Sequence, residues 1–576
     1  MGHDAGRLAA VREGLTQVLD RMEDLWSRAS CSRAIARLRW LSCGLYGLRQ
    51  GEMLGRGTAS QPFLAEVAGN AAGDLLRFVG GTGRALGAGD LYLGNDPRAG
   101  GGGLDDLCFL APAFAEGTLV GLLGMAGSYP TVSRGGVRLA PELRHEGTVI
   151  PWVRIRAAER PVPELLAILG ENLGLGEAFA GEVELIARVL AAGEEGVGSL
   201  CARYGTGACL GALAALRAGC EAGLAHLLVR LPEGPPKDPL PVPVAAYREG
   251  GRIVLDASGL PRAGLAPVPR ALSLAALRLA VKEVFHPEVP ALPGLGGWEA
   301  DWEIRLPPDS LATTGGVPAT VGRFLTAQAI ADAAVAAFAE VFPHLAHAPG
   351  PPALSQLDLQ GERDDGSRYA ARLFLGGGAG ASVWGDGLHH TTPLVDPATL
   401  RPLEEVEEEF PIRFLRFALR EDSAGPGQYR GGAGAVLSFT LTEGRAEVHA
   451  VVAGAARGLR GGVRGRAGRL LLETPSRGEQ VWEGPAAMGL SLAAGDRLTL
   501  EGPGGAGWGI PYRRSIMRVE EDVAAGLVSR QAARRQYGVV FDTAGAKDDV
   551  LTYRLRKYLL NTLAIEDVVA GETLLD

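Results

Sequence analysis

The sequence predicts a multidomain α+β fold with a sheet-rich N-terminal part, a helical middle and a β-rich C-terminal part. Three observations carry this reading. At 576 residues the chain exceeds what one hydrophobic core organises, so two or three domains are expected. Its 84 glycines are about twice the usual share and follow no fixed period; their clusters at 79–83, 100–103, 376–380 and 502–507 mark tight turns between short strands. Between the glycine-punctuated ends, residues 161–231 carry apolar side chains at helical spacing.

Taken in order, Leu8, Val11, Leu15, Val18, Met22, Leu25 and Trp26 predict an opening amphipathic helix. From about 38 to 155, short apolar runs broken by Gly and Pro predict a sheet-rich layer, and Leu165 to Leu228 predict helices. The Pro-rich stretch Pro232 to Pro243 is stiff and turn-rich, the best domain boundary in the first half. Val242–Tyr247 and Arg252–Asp256 form a hairpin pattern closed by Glu249, Gly250 and Gly251. Helices are expected near 272–285 and 323–341. Strands are expected at Tyr369–Leu375, Val436–Leu441, Glu447–Val452, Arg469–Glu473 and Arg497–Glu501. Ser529 is placed to cap a helix over Arg530–Gln536. The resulting division is 1–160, a helical region 161–231, a central α/β region 244–366, a β-rich region 367–515 and a helical tail 516–576.

Composition excludes several classes. Apolar content of 47% and charged content of 21% describe a globular chain. A net charge of −9 argues against nucleic acid or an anionic membrane as partner. No stretch of 18 uninterrupted apolar residues predicts a membrane span. Six cysteines without a CxxC pair read as free thiols, and the expected location is the cytoplasm.

The most informative stretch is Asn95-Asp96-Pro97-Arg98-Ala99-Gly100-Gly101-Gly102-Gly103-Leu104-Asp105-Asp106, after the apolar run Leu91 to Leu93. It resembles the N-D-P-(aromatic)-x-G-G-T-H-x-x-D signature of the hydantoinase B/oxoprolinase family, related to the B-like subunits of ATP-dependent ketone carboxylases. Further blocks agree in order and spacing from about 32 to 542. Glu146 to Pro151 resembles E-G-x-x-I-P, and Ala202 to Gly205 the R-Y-G ending the helical section. Arg420 to Gly432 resembles R-x-D-S-G-G-x-G-x-Y-R-G-G, Gly502 to Gly509 the P-G-G-G-G-Y-G block, and Gly526 to Gly538 the terminal G-L-V-S block.

The resemblance implies a B-type subunit working beside an ATP-binding A-type subunit in a hetero-oligomer. ATP and Mg belong to that partner, which phosphorylates a carbonyl, lactam or hydantoin oxygen, and the B-type subunit completes hydrolysis or carboxylation with a divalent metal. This chain has no GxxxxGK[ST] loop, and the glycine run Gly376 to Ala381 is read as a turn. A catalytic metal needs three or four convergent donors. The positions that the resemblance assigns to them carry few: Trp40 replaces an acid, Thr58–Gln61 and Gly103 replace histidines, and Pro130–Gly136 keeps only glycines of an H-H-A-D-x-G-G segment.

Asp96, Asp106 and Glu146 remain as catalytic candidates, with Asp96 and Asp106 as remnants of a metal site and Asp96 equally suited to an Asx turn. The neighbouring acids Asp105 and Asp106 form a possible carboxylate pair. Outside the matched positions, Asp386, His389 and His390 form a compact group, though adjacent histidines on a strand would face opposite ways. His344 and His347 lack a nearby acid. No metal is expected in this chain and no cofactor. Three functions follow: a non-catalytic scaffold or regulator that associates with an A-type partner or with a second, intact B-type subunit; an active B-type subunit with a remodelled site, hydrolysing a cyclic amide or carboxylating a ketone; or a small-molecule binding protein without turnover.

Overall fold

The structure, a computed structural model, describes residues 2–130, 147–236, 243–260, 268–299, 302–307, 323–396, 398, 400–475 and 478–572, with the backbone alone at 2–5, 487 and 563–572. It is a multidomain α+β fold that divides into two compact units, Met1–Val341 and Phe342–Asp576.

In the first unit, α1 (Gly2–Ala29) and α2 (Arg33–Leu38) lead into β1 (Leu41–Tyr46) and β2 (Met53–Arg56). After α3 (Pro62–Gly81) come β3 (Leu91–Gly94), β4 (Asp106–Ala115), β5 (Thr118–Ser128), β6 (Val153–Ala157) and β7 (Arg160–Pro161). Together the strands make one antiparallel sheet in the order β2-β1-β5-β4-β3-β6-β7. Alternation assigns its faces. Leu107, Phe109, Leu123 and Met125 join α1 and the following helical layer, whereas Cys108, Leu110, Leu122 and Ala126 join α3. Helices cover both faces, which explains why these strands read as continuous apolar runs.

The helical middle is α4 (Pro163–Asn172), α5 (Ala178–Tyr204) and α6 (Thr206–Leu228), with α5 and α6 packed on α1. Next come the hairpin β8 (Ala245–Glu249) and β9 (Arg252–Asp256), then α7 (Arg270–Phe285), β10 (Glu303–Arg305) and α8 (Arg323–Val341). α7 lies on α3, joined by a buried Lys282–Glu66 ion pair and by Arg278 donating to Asn70 at 2.7 Å. Phe285 meets Phe338 of α8 edge-to-face at 5.0 Å. The Pro-rich stretch therefore joins parts of a single unit. Helices α6 and α8 are long and apolar enough to cross a membrane; most of α8 is buried inside the unit.

The sheet-rich expectation for 38–155 passed over α3. Gly69 and Gly73 interrupt its apolar pattern, and the packing shows why they are there: a Cβ on Gly73 would lie 2.3 Å from the Gln50 carbonyl oxygen, so the β1–β2 turn is seated against bare helix backbone.

The second unit begins with β11 (Ser355–Glu362) and β12 (Arg368–Leu375), then α9 (Leu403–Glu409), β13 (Ile412–Leu419), β14 (Ala435–Leu441) and β15 (Arg445–Val452). β16 (Arg469–Thr474), β17 (Gly478–Glu483), β18 (Ala486–Ala493) and β19 (Arg497–Glu501) follow, then α10 (Ile516–Ala524), α11 (Arg530–Tyr537) and α12 (Asp549–Glu572). A four-stranded sheet β12-β11-β15-β18 and a five-stranded sheet β13-β14-β19-β16-β17 share a core of Leu359, Leu373, Val448, Phe439, Leu470 and Leu500. Ser529 caps α11 as expected, accepting from the Ala532 amide at 3.1 Å. α12 docks on the body through Arg556, which donates to the Tyr537 and Arg514 carbonyls.

At one end of this sandwich the glycine blocks interlock, backbone against backbone. A Cβ on Gly432 would stand 1.8 Å from the Leu388 carbonyl oxygen, and one on Gly505 1.9 Å from that of Ala379. Gly432→Ala is therefore expected to cost roughly 4 kcal/mol or more in chemical denaturation, at the severe end for one methyl. Gly219→Ala on α6, where the new methyl meets nothing within 4 Å, should be neutral or stabilising by up to about 1 kcal/mol. Equal effects at the two positions would refute the interlocked packing.

Candidate functional site

The sheet of the first unit brings the sequence-predicted positions together. β1 starts, β5 ends, β4 starts and β3 ends at one edge, where Leu41 pairs with Gly127, Asp106 with Ser128 and Gly94 with Cys108. Trp40 precedes β1, and Thr58–Gln61 follow β2. The loop 95–105 joins β3 to β4, and Tyr129 follows β5. Backbone bonds tie these segments: Ser128 N to Trp40 O at 3.1 Å, Gln61 N to Leu41 O at 2.9 Å, and Tyr129 N to Asp105 O at 2.7 Å. Residues scattered over ninety positions of sequence thus share one end of one sheet. Glu146 and all of the Pro130–Gly136 segment after Pro130 lie outside the described residues.

Asn95 organises the loop. Its Oδ1 accepts from Ile150 N at 2.7 Å, while its Nδ2 donates to the carbonyls of Leu104 and Thr148. The N-D-P stretch is thereby fastened to the Gly147–Pro151 segment. Asp96 closes a turn: it accepts from the Arg98 amide at 2.9 Å, and its carboxylate takes the Arg98 guanidinium at 2.7 Å. The bond to the amide two residues on is an Asx turn, and the guanidinium engages both carboxylate oxygens. The surrounding Ala71, Gly94, Gly101 and Trp152 leave no room for a water molecule.

Asp106 is buried and faces a cation from far along the chain. Arg323, the first residue of α8, places Nη2 3.2 Å from Asp106 Oδ2, and both side chains are under one-tenth exposed. Burial pushes the Asp106 carboxyl up to about 6, opposed by Arg323 and helped by Asp105. The guanidinium occupies the space in front of Gly103, where an added Cβ would come within 2.6 Å of Arg323 Cζ. Beneath it lies Phe324, with Cζ 4.4 Å from the ring centroid, a cation–π contact. Phe324 in turn packs against Trp40 at 6.3 Å and Phe63 at 6.0 Å. Where the resemblance implies an acid, a histidine and a metal, this chain has an indole, a glycine and a guanidinium. Asp96 and Asp106 are each taken by an arginine, and among the described residues no group of three His, Cys, Asp or Glu is placed to hold a metal ion.

The Thr58–Gln61 loop is held by carboxylates of α1. Thr58 donates to Asp20 through both its amide and its hydroxyl, Ala59 N donates to Glu23 at 2.9 Å, and Ser60 Oγ makes a short hydrogen bond to Glu23. Burial pushes the Glu23 carboxyl up to about 7 against these bonds. A surface cavity of about 400 Å³ opens beside it, lined by Asp20, Asp24, Arg28, Arg39 and Thr58.

In the second unit, Asp386 is taken by arginines: Arg514 donates at 2.6 and 2.7 Å, and Arg430 donates its amide at 2.7 Å. Burial raises the Asp386 carboxyl, but Arg514 and Arg430 outweigh it and hold it below the usual range. Arg514 and Arg430 also share Asp522, making a buried structural network. His389 and His390 occupy a bend instead of a strand. They still diverge: His389 Nδ1 accepts from Ala433 N at 2.9 Å, whereas His390 stands edge-on to Phe417. His347 Nδ1 lies 2.8 Å from the Ala348 carbonyl oxygen.

An antiparallel sheet wrapped by helices, a loop end built on an N-D-P turn, and a glycine-interlocked sandwich define the B-type architecture. The family model for hydantoinase B/oxoprolinase matches residues 4–511, and the chain belongs to this family. A Pseudomonas sp. (strain NS671) protein, assigned as the B component of a D-/L-hydantoinase, is 24% identical over 506 residues, covering 81% of this chain and 84% of its own. Among solved structures, nucleotide-free acetone carboxylase superposes with a TM-score of 0.80 at 17% identity, over 98% of this chain and 85% of that one. ATP-dependent caprolactamase from Pseudomonas jessenii superposes with a TM-score of 0.77 at 22% identity, over 96% and 98%.

Sequence reading missed Arg323, Phe324 and Glu23. The first two open an alanine-rich helix and look like any helix start; only their contacts with Gly103, Asp106 and Trp40 single them out. Glu23 has a direct readout. Its carboxyl is raised in the folded state, so its contribution is fully present below about pH 4.5 and is lost as pH rises through about 7. The charged and titratable groups acting on it are Asp20 of α1, Cys43 of β1 and Arg56 of β2. Glu23→Gln, whose amide can accept from Ala59 and donate to Ser60, should gain on the wild type by on the order of 2 kcal/mol between pH 5 and 8. Parallel stability–pH curves for the two proteins would show that Glu23 does not titrate in that range.

Proposed function

We propose that this chain is a non-catalytic B-type subunit that acts as scaffold or regulator in an ATP-dependent amidohydrolase or carboxylase complex. The observation that carries the reading is the Arg323 guanidinium seated on Asp106 in front of Gly103. It pairs with Asp106 and fills the adjacent space, so neither a metal-activated water nor a substrate carbonyl has a place beside that carboxylate. The relatives support membership of a complex: one is assigned as the B component of a hydantoinase, and two solved structures belong to ATP-dependent enzymes. ATP and Mg would then be held in an A-type partner, with a second, intact B-type subunit as the natural carrier of the chemistry. The cytoplasm, with its ATP, is the compartment this assembly requires, and six free cysteines suit it.

The purified chain alone should not hydrolyse ATP and should contain well under one transition metal per chain by elemental analysis. Co-expressed with an A-type subunit it should co-purify as a stable complex. Within that complex Asp106→Asn is expected to leave turnover within about twofold, since no barrier depends on it. A hundredfold loss with the assembly intact by size-exclusion chromatography would establish an active, remodelled site instead.

A further inference from the structure

A cleft of about 290 Å³ lies between α5 and the sheet of the first unit, away from the sheet end described above. A transverse row of residues makes its floor. Leu123 of β5 pairs with Ala111 of β4, Leu91 of β3 pairs with Arg156 of β6, and β4 meets β3 next to this row through Leu110 and Tyr92. Above the row, α5 presents Glu184, Ala187, Arg188 and Ala191, spaced so that they share one helix face. Ala111, Ala187 and Ala191 stand where larger side chains would close the gap, and Leu91, Leu123 and Leu190 make its bottom apolar. Ala111 is five residues along β4 from Asp106, about 17 Å, so the cleft is a separate place.

Six charged residues line the cleft, and four of them are engaged. Arg156 donates to Glu184 at 2.7 Å and to the Glu159 carbonyl at 2.6 Å. Glu194 accepts from Phe114 N at 2.9 Å. Asp90 is buried and accepts from Arg154 and from the Ala158 amide, each at 3.2 Å. The side chains of Arg188 and Glu159 make no ion pair or hydrogen bond among the described residues, and they do not pair with each other. One cation and one anion therefore stand free on the walls of an apolar-floored cleft.

Glu159 is held there under strain. Ala158 and Glu159 form the two-residue turn between β6 and β7, at φ +47° and +67°. Both positions of such a turn favour Asn and Gly, because a side chain is strained in the left-handed region. The surroundings fix the turn all the same. Ala158 N reaches Asp90, Arg156 holds the Glu159 carbonyl, and Glu159 N donates to the Gly89 carbonyl at 2.9 Å. Gly89 permits that approach, since an added Cβ would stand 2.7 Å from the Glu159 amide nitrogen. A strained glutamate where glycine would be relaxed points to a use for its carboxylate.

We infer that this cleft binds a small zwitterion, an amino acid with an unbranched apolar body. Its carboxylate meets Arg188, its ammonium meets Glu159, and its carbon chain lies over Leu91, Leu123 and Leu190. A guanidinium matches a carboxylate with two parallel hydrogen bonds. A ligand with a single charge would leave one wall group unmet, and an uncharged one would leave both. The inference is independent of how Asp106 is read.

The test is isothermal titration calorimetry on the full-length chain. The probes are L-norleucine, with both charges on one carbon, and 5-aminopentanoate, with its charges at opposite ends; hexanoate and hexylamine carry one charge each. At least one of the two amino acids should bind once per chain with a Kd of roughly 0.1–1 mM. Which of them binds more tightly tells how far apart the ligand carries its charges. Hexanoate and hexylamine should bind at least tenfold more weakly, and Arg188→Gln and Glu159→Gln should each weaken the amino acid at least tenfold. Ala187→Leu fills the gap and should abolish binding without lowering the melting temperature. Glu159→Gly should raise that temperature by a few degrees while losing affinity, because it relieves the turn and removes the carboxylate. The inference is overturned if neither amino acid approaches saturation at about 10 mM, or if hexanoate or hexylamine binds as tightly as the amino acids. Undiminished binding by Ala187→Leu or by Glu159→Gly overturns it equally. Failure here leaves the turnover test of the complex untouched, so the two readings stand or fall separately.

Discussion

A carboxylate taken out of water must be met by a proton, a metal, an organic cation or a set of hydrogen-bond donors, and each choice commits the structure around it. At Asp106 the choice is Arg323. The consequences spread outward from that pair. Gly103 leaves the guanidinium its space, Phe324 provides the face on which the guanidinium lies, and Trp40 and Phe63 enclose Phe324. The start of α8 is thereby pinned to the sheet end, across 217 residues of sequence. Removing one member of a buried pair leaves the other uncompensated, typically at a cost of about 3–5 kcal/mol, so the arrangement resists stepwise reversal.

The second unit obeys a different constraint. Its interlocked glycines bring carbonyl oxygens where side chains would stand, and the closeness is fixed by backbone hydrogen bonds such as Gly432 N to Ala379 O at 2.8 Å and Gly505 N to Gly432 O at 3.0 Å. The buried arginines Arg430 and Arg514 hold this core to α10 through Asp522, and Arg514 reaches Asp386 as well. Asp386 is thus spent on structure. A carboxylate flanked by histidines in sequence looks like a ligand set, but its arginines arrive from positions that the local pattern does not show.

Fold and site were legible where the local pattern is undiluted. The helices read near 272–285 and 323–341 correspond to α7 and α8 to within two residues. α3 was not legible, because its glycines serve a tertiary contact instead of helix propensity. Strands β13 and β17 escaped for another reason: they are sheet edges whose solvated faces carry Arg413, Arg416, Glu479 and Glu483, which dilute the apolar alternation. At the site, Trp40, Gly103 and Asp106 were readable as one constellation through their matched blocks. Arg323 was not, since nothing in a single chain tells which of many arginines answers a given aspartate.

The matched residues separate by what they do inside the fold. Asn95 makes two side-chain hydrogen bonds that join the N-D-P loop to residues 148–150 and a third to Leu104 within the loop. Asp422 of the R-x-D-S block accepts from both the amide and the hydroxyl of Ser529 in the G-L-V-S block, each at 2.7 Å. Ser423 accepts from Gly434 N, and Gly432 admits the Leu388 carbonyl. Asn95, Asp422 and Ser423 each fasten one segment of the chain to another. The replaced positions, Trp40 and Gly103, carry side chains or bare backbone that only complete packing around Arg323. A chain under selection to keep its shape and its partner surfaces, but not its chemistry, would lose residues in that order: those whose only task was to reach a metal would go first, and those that hold the loops would stay.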